Sequence, residues 1–286
     1  MNIQKYLAFI KTVDCNSFTK AANVLNYSQS GISRMIADLE EEWNIPLLER
    51  DRLGVHLTSD GAVLIPFVRK ICEDYRSLQS QVDSLNGLES GLIRIGTFSS
   101  VATHWLPNII KHFQNDYPHV EYELLLGDYT EIESWIIDGR VDCGFITVPT
   151  IHKMETSILE KDDLLVILPQ NHPLANCEKF PVESLCDYPF MLLEKGAKAQ
   201  ISAIFEQNKI APDVHFTTWD DYAIMSMVES GLGISILPKL ILKRIPYNIL
   251  VKELNVPAYR NIAFALRDSK TASTVTKKFM EYLQYR

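Results

Sequence analysis

The chain has 286 residues, 47% of them hydrophobic and 22% charged, a globular composition with length for about two domains. A net charge of −8 excludes bulk basicity as the source of any attraction to nucleic acid or membrane, so such a partner must be met by local geometry. The first residues hold no cationic stretch followed by an apolar core, and apolar runs such as Leu164 to Pro169 are too short to span a bilayer; a cytoplasmic protein with no membrane partner is expected.

Five cysteines without a C-x-x-C pair read as scattered thiols in a reducing compartment, although Cys177 and Cys186 are near enough in sequence to leave a redox switch open. The histidines are dispersed and form no ligand cluster, so neither a metal nor a cofactor is expected.

Ile3, Leu7 and Ile10 recur at helical spacing and predict a first helix ending near Val13. Ser17 can cap a second helix through Ala21, Ala22 and Leu25, whose small residues allow close approach of a neighbour. Asn26 and Tyr27 form a short break, and Ser28 is a natural cap for a third helix. Along it Ile32, Ile36, Leu39 and Trp43 make one apolar stripe, with Gln29, Ser30, Ser33, Arg34 and Ala37 on the other side.

Two short helices joined by a tight turn, the second presenting Gln, Ser and Arg from its first turns, make a helix-turn-helix. Gln suits adenine, Arg suits guanine or phosphate, and Ser serves a base edge or a backbone oxygen. A solvated helix face is the competing reading of this helix taken alone. Residues 49–57, ERDRLGVHL, add two short strands around Leu53-Gly54, a wing with Arg50, Arg52 and His56 near its tip. Residues 1–60 nevertheless hold six basic and eight acidic side chains, so one copy should bind DNA modestly and need a second.

Thr58 can cap a further helix, with Asp60 in its first turn and Pro66 kinking it near its start. Leu64, Val68, Ile71, Tyr75, Leu78, Val82 and Leu85 follow at alternating spacings of four and three, the seam of a coiled coil. Pairing through it would set two recognition helices on a roughly palindromic DNA site. Asn86-Gly87 and Gly91 end the helix.

From Leu92 strands alternate with helices: LIRIG, a helix from Val101 to Phe113 interrupted by Pro107, VEYELLLG, EIESWIID, VDCGFIT, DLLVILP, PFMLL, AQISAIFEQN, VHFTT, YAIMSMVES and ISILP. Two βαβ-type halves imply open sheets flanked by helices, with ligands at the carboxyl ends of strands. Thr97, Ser99 and Ser100 offer hydroxyls and free backbone N–H groups at one such end. Lys195, Gly196, Ala197 and Lys198 offer the same plus charge in the second half, simple helix capping being the alternative for both segments. Gly231-Leu232-Gly233 reads as a helix-to-strand turn, and Asp128, Asp220 and Asp221 read as helix caps, an acid/base set being the alternative only if folding brings them together. No nucleophile elbow, Walker sequence or spaced Ser/His/Asp set is present, so no enzyme is expected.

The stretch SFTKAANVLNYSQSGISRMIADLEEEWNIPLLERDRLGVHLTSDG closely resembles the winged helix-turn-helix of LysR-type transcriptional regulators. The similarity continues through LPNIIKHFQNDYPHVEYELLLGD, DGRVDCGFIT, LPQNHPLA and MVESGLGISILPK, nearly the whole chain. It implies an α plus α/β protein: a winged helix-turn-helix over 1–58, a linker and dimerisation helix over 59–90, and a two-lobed periplasmic-binding-protein-like effector domain over 91–286. Lobe I would take about 91–161 and 267–286, and lobe II about 162–266. By the same resemblance Ser28, Gln29, Ser30, Ser33 and Arg34 meet DNA, and Arg50 and Arg52 meet its backbone.

An effector, carboxylate or amino-acid-like, would lie between the lobes against Thr97, Ser99, Ser100, Asp128, Thr147, Lys195, Gly196 and Lys198. The resemblance also implies a homodimer assembling into a tetramer. Where the family often has a hydroxyl or another neutral residue, this chain has Asp128, which speaks against a simple dianion and leaves room for an amine-bearing effector. Oxidant sensors of the family place a cysteine in the segment matching Glu194 to Gln207, and this chain has none there. A ligand-binding protein or an enzyme built on the same α/β halves is the alternative.

Overall fold

The computed structural model describes residues 3–51, 54–85, 91–193 and 200–286. Its contacts divide the chain into an N-terminal unit built on residues 1–86 and a C-terminal unit built on 87–137 and 141–286.

The N-terminal unit holds helices α1 (Ile3–Cys15), α2 (Phe18–Leu25) and α3 (Gln29–Trp43), a hairpin of β1 (Leu48–Asp51) and β2 (Gly54–Leu57), and the long α4 (Ser59–Leu85). Ser17 caps α2 by accepting from the Lys20 N–H, and Ser28 caps α3 by accepting from the Gly31 N–H at 3.0 Å. Between them Asn26 takes the left-handed conformation at φ 56°, which turns the chain and lets the Tyr27 N–H bond back to the Ala22 carbonyl. Asn tolerates that conformation better than other non-glycine residues. The apolar stripes meet in one core around Phe9, Ala21, Ile32, Leu39 and Leu47.

Thr58 caps α4, its hydroxyl accepting from the Gly61 N–H and donating to the Pro46 carbonyl. Pro66 lies inside this helix. The seam expected along α4 divides in two. Val68 is buried, and Leu64 and Ile71 are half-buried against the unit's own core. Val63, Phe67, Tyr75, Leu78 and Val82 are exposed. At 100° per residue these five fall within an arc of about 120°, one apolar face turned to solvent. Leu85 is helical, its side chain outside the described residues.

The C-terminal unit contains β3 (Gly91–Thr97), α5 (Ser99–His104), α6 (Leu106–Asp116), β4 (Val120–Leu126), α7 (Tyr129–Ile137) and β5 (Cys143–Val148). Then come β6 (Glu155–Pro169), β7 (Phe190–Leu193), α8 (Gln200–Asn208), β8 (Val214–Thr218), α9 (Asp221–Glu229) and β9 (Ile234–Pro238). The chain closes with β10 (Ile249–Lys252), β11 (Tyr259–Leu266) and α10 (Thr274–Glu281). As expected, the helix after β3 breaks before Pro107, at Trp105.

The strands run in the order β4-β3-β5-β11-β6-β9-β7-β8, with β10 also on β6. The strand expected over 163–169 is the second half of the longer β6. Its first half pairs antiparallel with β11, and its second half with β9 and β10. β6 thus crosses from one lobe to the other. Because β11 also pairs with β5, it belongs to lobe I, and the return to that lobe falls before Tyr259 rather than after Leu266.

Each lobe has its own apolar filling. Trp105, Phe113, Phe145 and Phe264 lie in lobe I. Two clusters, around Phe180 with Phe190 and around Met225 with Leu237, lie in lobe II. Gly231 and Gly233 make the expected turn between α9 and β9. Gly231 sits at φ 76°, and a side chain on Gly233 would strike the Pro189 carbonyl.

Candidate nucleic-acid interface and ligand cavity

The first turns of α3 expose Ser28, Gln29, Ser30 and Arg34, with Tyr27 just before them. Ser28 is partly occupied by its capping role and by a 3.1 Å contact with Ser30. Ser33 is half-buried and accepts from the Arg50 guanidinium at 3.3 Å, while that guanidinium lies over the Phe18 ring at 3.9 Å. Arg50 is therefore held beside the recognition helix and flattened on its neighbour. Arg52 lies outside the described residues.

The acidic residues near the end of α3 have other work. Glu40 accepts from the N–H groups of Leu47 and Leu48 at 2.7 and 3.1 Å and anchors the start of the wing. Asp38 and Glu42 lie within 3.9 and 3.5 Å of Lys5. The negative charge counted in residues 1–60 is thus partly tied up away from the first turns of α3.

In the C-terminal unit a cavity opens between the lobes at the carboxyl ends of β3, β4, β7 and β9, where open α/β sheets hold ligands. Its empty space is about 740 Å³ with the open mouth included. Phe98, Leu126, Leu164, Ile201, Trp219 and Pro238 give it apolar walls. Ser99, Ser100, Asp128, Tyr129, Asp221 and Arg260 give it polar ones.

Of the expected effector residues, Ser99, Ser100 and Asp128 line this cavity. Thr97 and Thr147 do not. Both lie on interior strands with 0% and 1% exposure, so their side chains face the lobe's packing instead. Lys195, Gly196 and Lys198 lie outside the described residues. Asp128 is the expected cap: its Oδ1 accepts from the Thr130 and Glu131 N–H groups, while Glu131 accepts from the Asp128 N–H in return. Asp220 caps α9 in the same way.

Sequence reasoning missed the centre of the cavity, which is Arg260. Its guanidinium donates to Asp162 through Nε at 2.8 Å and lies 2.7 Å from the same carboxylate through Nη2. It also donates to Tyr129 at 2.6 Å and Ser100 at 2.7 Å, and it faces the Phe98 ring. Asp162 in turn accepts from the Leu240 N–H. Arg260 and Asp162 are both buried, an ion pair with most of its hydrogen-bonding capacity filled.

Asp221, expected as a helix cap, is instead the first residue of α9, which Asp220 caps, and it faces the cavity. Burial raises its pKa from 3.8 to about 6, against the opposing pull of Arg260 and a hydrogen bond from Ser99. For Arg260 the one available signal is a charged residue in an apolar strand, YRNIAFAL.

Cys177 and Cys186 are free thiols, as are the other three. Among the described residues no group of three or more His, Cys, Asp or Glu could hold a metal, and no helix is long and apolar enough to cross a membrane.

Residues 3–62 match the family model for bacterial regulatory helix-turn-helix proteins of the lysR family, and residues 86–286 match the LysR substrate binding domain. The uncharacterized HTH-type transcriptional regulator YvbU of Bacillus subtilis is 30% identical over 98% of this chain and 97% of its own length. Among solved structures, full-length CbnR complexed with its target DNA aligns over 99% of both chains at 20% identity, with a TM-score of 0.69. The effector binding domain of QuiR in complex with shikimate aligns over 68% of this chain and 95% of its own at 23% identity, with a TM-score of 0.61. The chain is a DNA-binding transcriptional regulator with an effector-binding domain, not an enzyme, and it belongs to the LysR family.

Proposed function

We propose that a small molecule bound between the lobes changes how this protein grips its operator. Closure or shift of the lobes around the molecule would be passed through the linker helix to the spacing of two DNA-binding heads. Gln29, Ser30 and Arg34 read base edges or phosphates, with Ser28 setting the N-terminus of α3 against the backbone. Ser33 holds Arg50, and Arg50 and Arg52 meet phosphates from the wing. Ser99, Ser100 and Asp128 meet the effector, joined by Lys195, Gly196 and Lys198 from the second lobe. Thr97 and Thr147 act from behind the wall.

The working form is a cytoplasmic dimer paired along α4, and two dimers make a tetramer on a roughly palindromic site. What supports this most is the exposed face of Val63, Phe67, Tyr75, Leu78 and Val82, on a helix continuous with the DNA-binding head. Large apolar side chains in a row are rarely left to water.

The test is a titration of the protein against the promoter region flanking its own gene, at two salt concentrations. Sequence-specific binding that weakens with salt is expected, and Arg34→Ala should weaken specific binding by roughly 1–3 kcal/mol if it reads a base. Unchanged affinity in the variant would remove Arg34 from the readout.

A further inference from the structure

We propose that Arg50 is a specificity residue acting through Ser33: it sets the Ser33 hydroxyl as a hydrogen-bond donor toward the bases. This rests on Ser33 meeting DNA and goes further by giving the polarity of what Ser33 reads and the residue that fixes it.

A serine hydroxyl is ambiguous in recognition, because it holds one donor and two acceptor lone pairs and rotates to suit its partner. On α3 that ambiguity stays open at Ser30, whose hydroxyl lies 3.1 Å from that of Ser28 with either able to donate. At Ser33 it is resolved. A guanidinium only donates, so the Arg50 Nη2 at 3.3 Å takes a lone pair of the Ser33 oxygen and turns the O–H proton elsewhere. A cation on that oxygen also polarises it, which strengthens the O–H as a donor and weakens the oxygen as an acceptor. Among the described residues that proton has no acceptor.

Ser33 stands four residues after Gln29 and four before Ala37, both exposed, and so shares their side of the helix. In the major groove the acceptors are N7 and O6 of guanine, N7 of adenine and O4 of thymine, whereas cytosine N4 and adenine N6 are amino donors. Ser33 held as a donor takes the first set and turns from the second.

Arg50 is built to hold this setting. Its guanidinium is fixed from two sides, by Ser33 on α3 and by the ring of Phe18, buried on α2, at 3.9 Å. Arg50 lies on β1, and Glu40 of α3 accepts from the N–H groups of Leu47 and Leu48 where that strand begins. One bond to Ser33 leaves other guanidinium N–H groups for a phosphate, so the two roles coexist.

The experiment measures the affinity of the full-length protein for an operator duplex, cut from the promoter region flanking its own gene, relative to a scrambled duplex of equal length. A phosphate contact cancels in that ratio, since it carries no sequence information. The parent, Ser33→Ala, Arg50→Met and the double variant form a cycle. Arg50→Met keeps an unbranched apolar stem beside Phe18 and donates nothing. It should lower the ratio about fivefold against the parent, the effect of one lost hydrogen bond, and leave it unchanged when Ser33→Ala is already present. Arg50→Lys keeps the charge without the planar fork, so scrambled-duplex affinity should stay near that of the parent while the ratio still falls. Unfolding temperatures check that each variant is folded, and Arg50→Lys takes the place of Arg50→Met in the cycle should the latter not fold.

At the base pair whose identity matters less in Ser33→Ala, the parent should lose affinity to analogues lacking N7, O6 or O4 and tolerate those lacking an amino group. The reverse would overturn the polarity. A ratio that falls equally with and without Ser33, or in neither case, would overturn the role of Arg50 and leave Ser33 at the DNA. A full ratio in Arg50→Lys would overturn the part given to the fork. A ratio unchanged by Ser33→Ala alone would remove Ser33 from the readout, and the inference with it.

Discussion

Asp221 sets a pH dependence that can be worked out with its sign. Its folded pKa of about 6 lies above the value of 3.8 that an exposed aspartate takes. Burial is the first cause, neighbouring Asp220 adds to it, and Arg260 and Ser99 pull the other way. Between about pH 4 and 6 the folded protein keeps a proton that the unfolded chain has released, so stability falls as pH rises through that window and is level above it. A rise of that size corresponds to about 3 kcal/mol at most.

Asp221→Asn has no proton to lose, so its unfolding temperature relative to the parent should climb from pH 4 to 6 and then hold. Parallel profiles across that range would mean the carboxyl ionises as if exposed. Asp221 and Arg260 also show where sequence stops being informative. An aspartate opening a helix satisfies a capping rule whether or not it faces a cavity. Arg260 meets partners 98 and 160 residues away, which no local pattern encodes.

At the scale of elements, what local periodicity and end signals specify is what the sequence made legible. The three head helices, their Ser17 and Ser28 caps and the Asn26 turn all follow from spacing within a few residues. β11, β10, the first half of β6 and α10 escaped notice, because β6 and β11 are built by pairing between distant segments and α10 is short. The linker helix was half legible: its heptads are real in sequence, but Val68 serves the head's own core while Tyr75, Leu78 and Val82 stay in water.

That division makes the outer face separable by mutation. Leu78→Glu combined with Val82→Glu should weaken self-association at least tenfold in sedimentation and leave the helical circular dichroism intact, since neither side chain packs in the monomer. Specific DNA affinity should fall with it, through loss of the second head. A variant that still sediments as the parent would put the dimer contact elsewhere.

On the scale of the whole molecule, head and cavity are coupled only if a bound ligand and bound DNA prefer the same arrangement of the protein. Coupling of this kind is reciprocal, whatever the mechanism. If a saturating effector changes operator affinity by some factor, saturating operator must change effector affinity by the same factor, tenfold corresponding to about 1.4 kcal/mol. The factor does not depend on whether the protein activates or represses, nor on how motion passes along α4.

We expect a factor between about 5 and 150, the usual range for such coupling. It is measured twice, with a small molecule found by calorimetry to bind the protein: operator titrations with and without that molecule, and titrations of the molecule with and without an operator fragment. Equal factors from the two directions would tie the cavity to the DNA-reading face thermodynamically. A factor of one in both would mean that the molecule binds without regulating the head. The lobe-crossing strand β6, which carries Asp162, and its neighbour β11, which carries Arg260, would then be a binding frame alone rather than part of a switch.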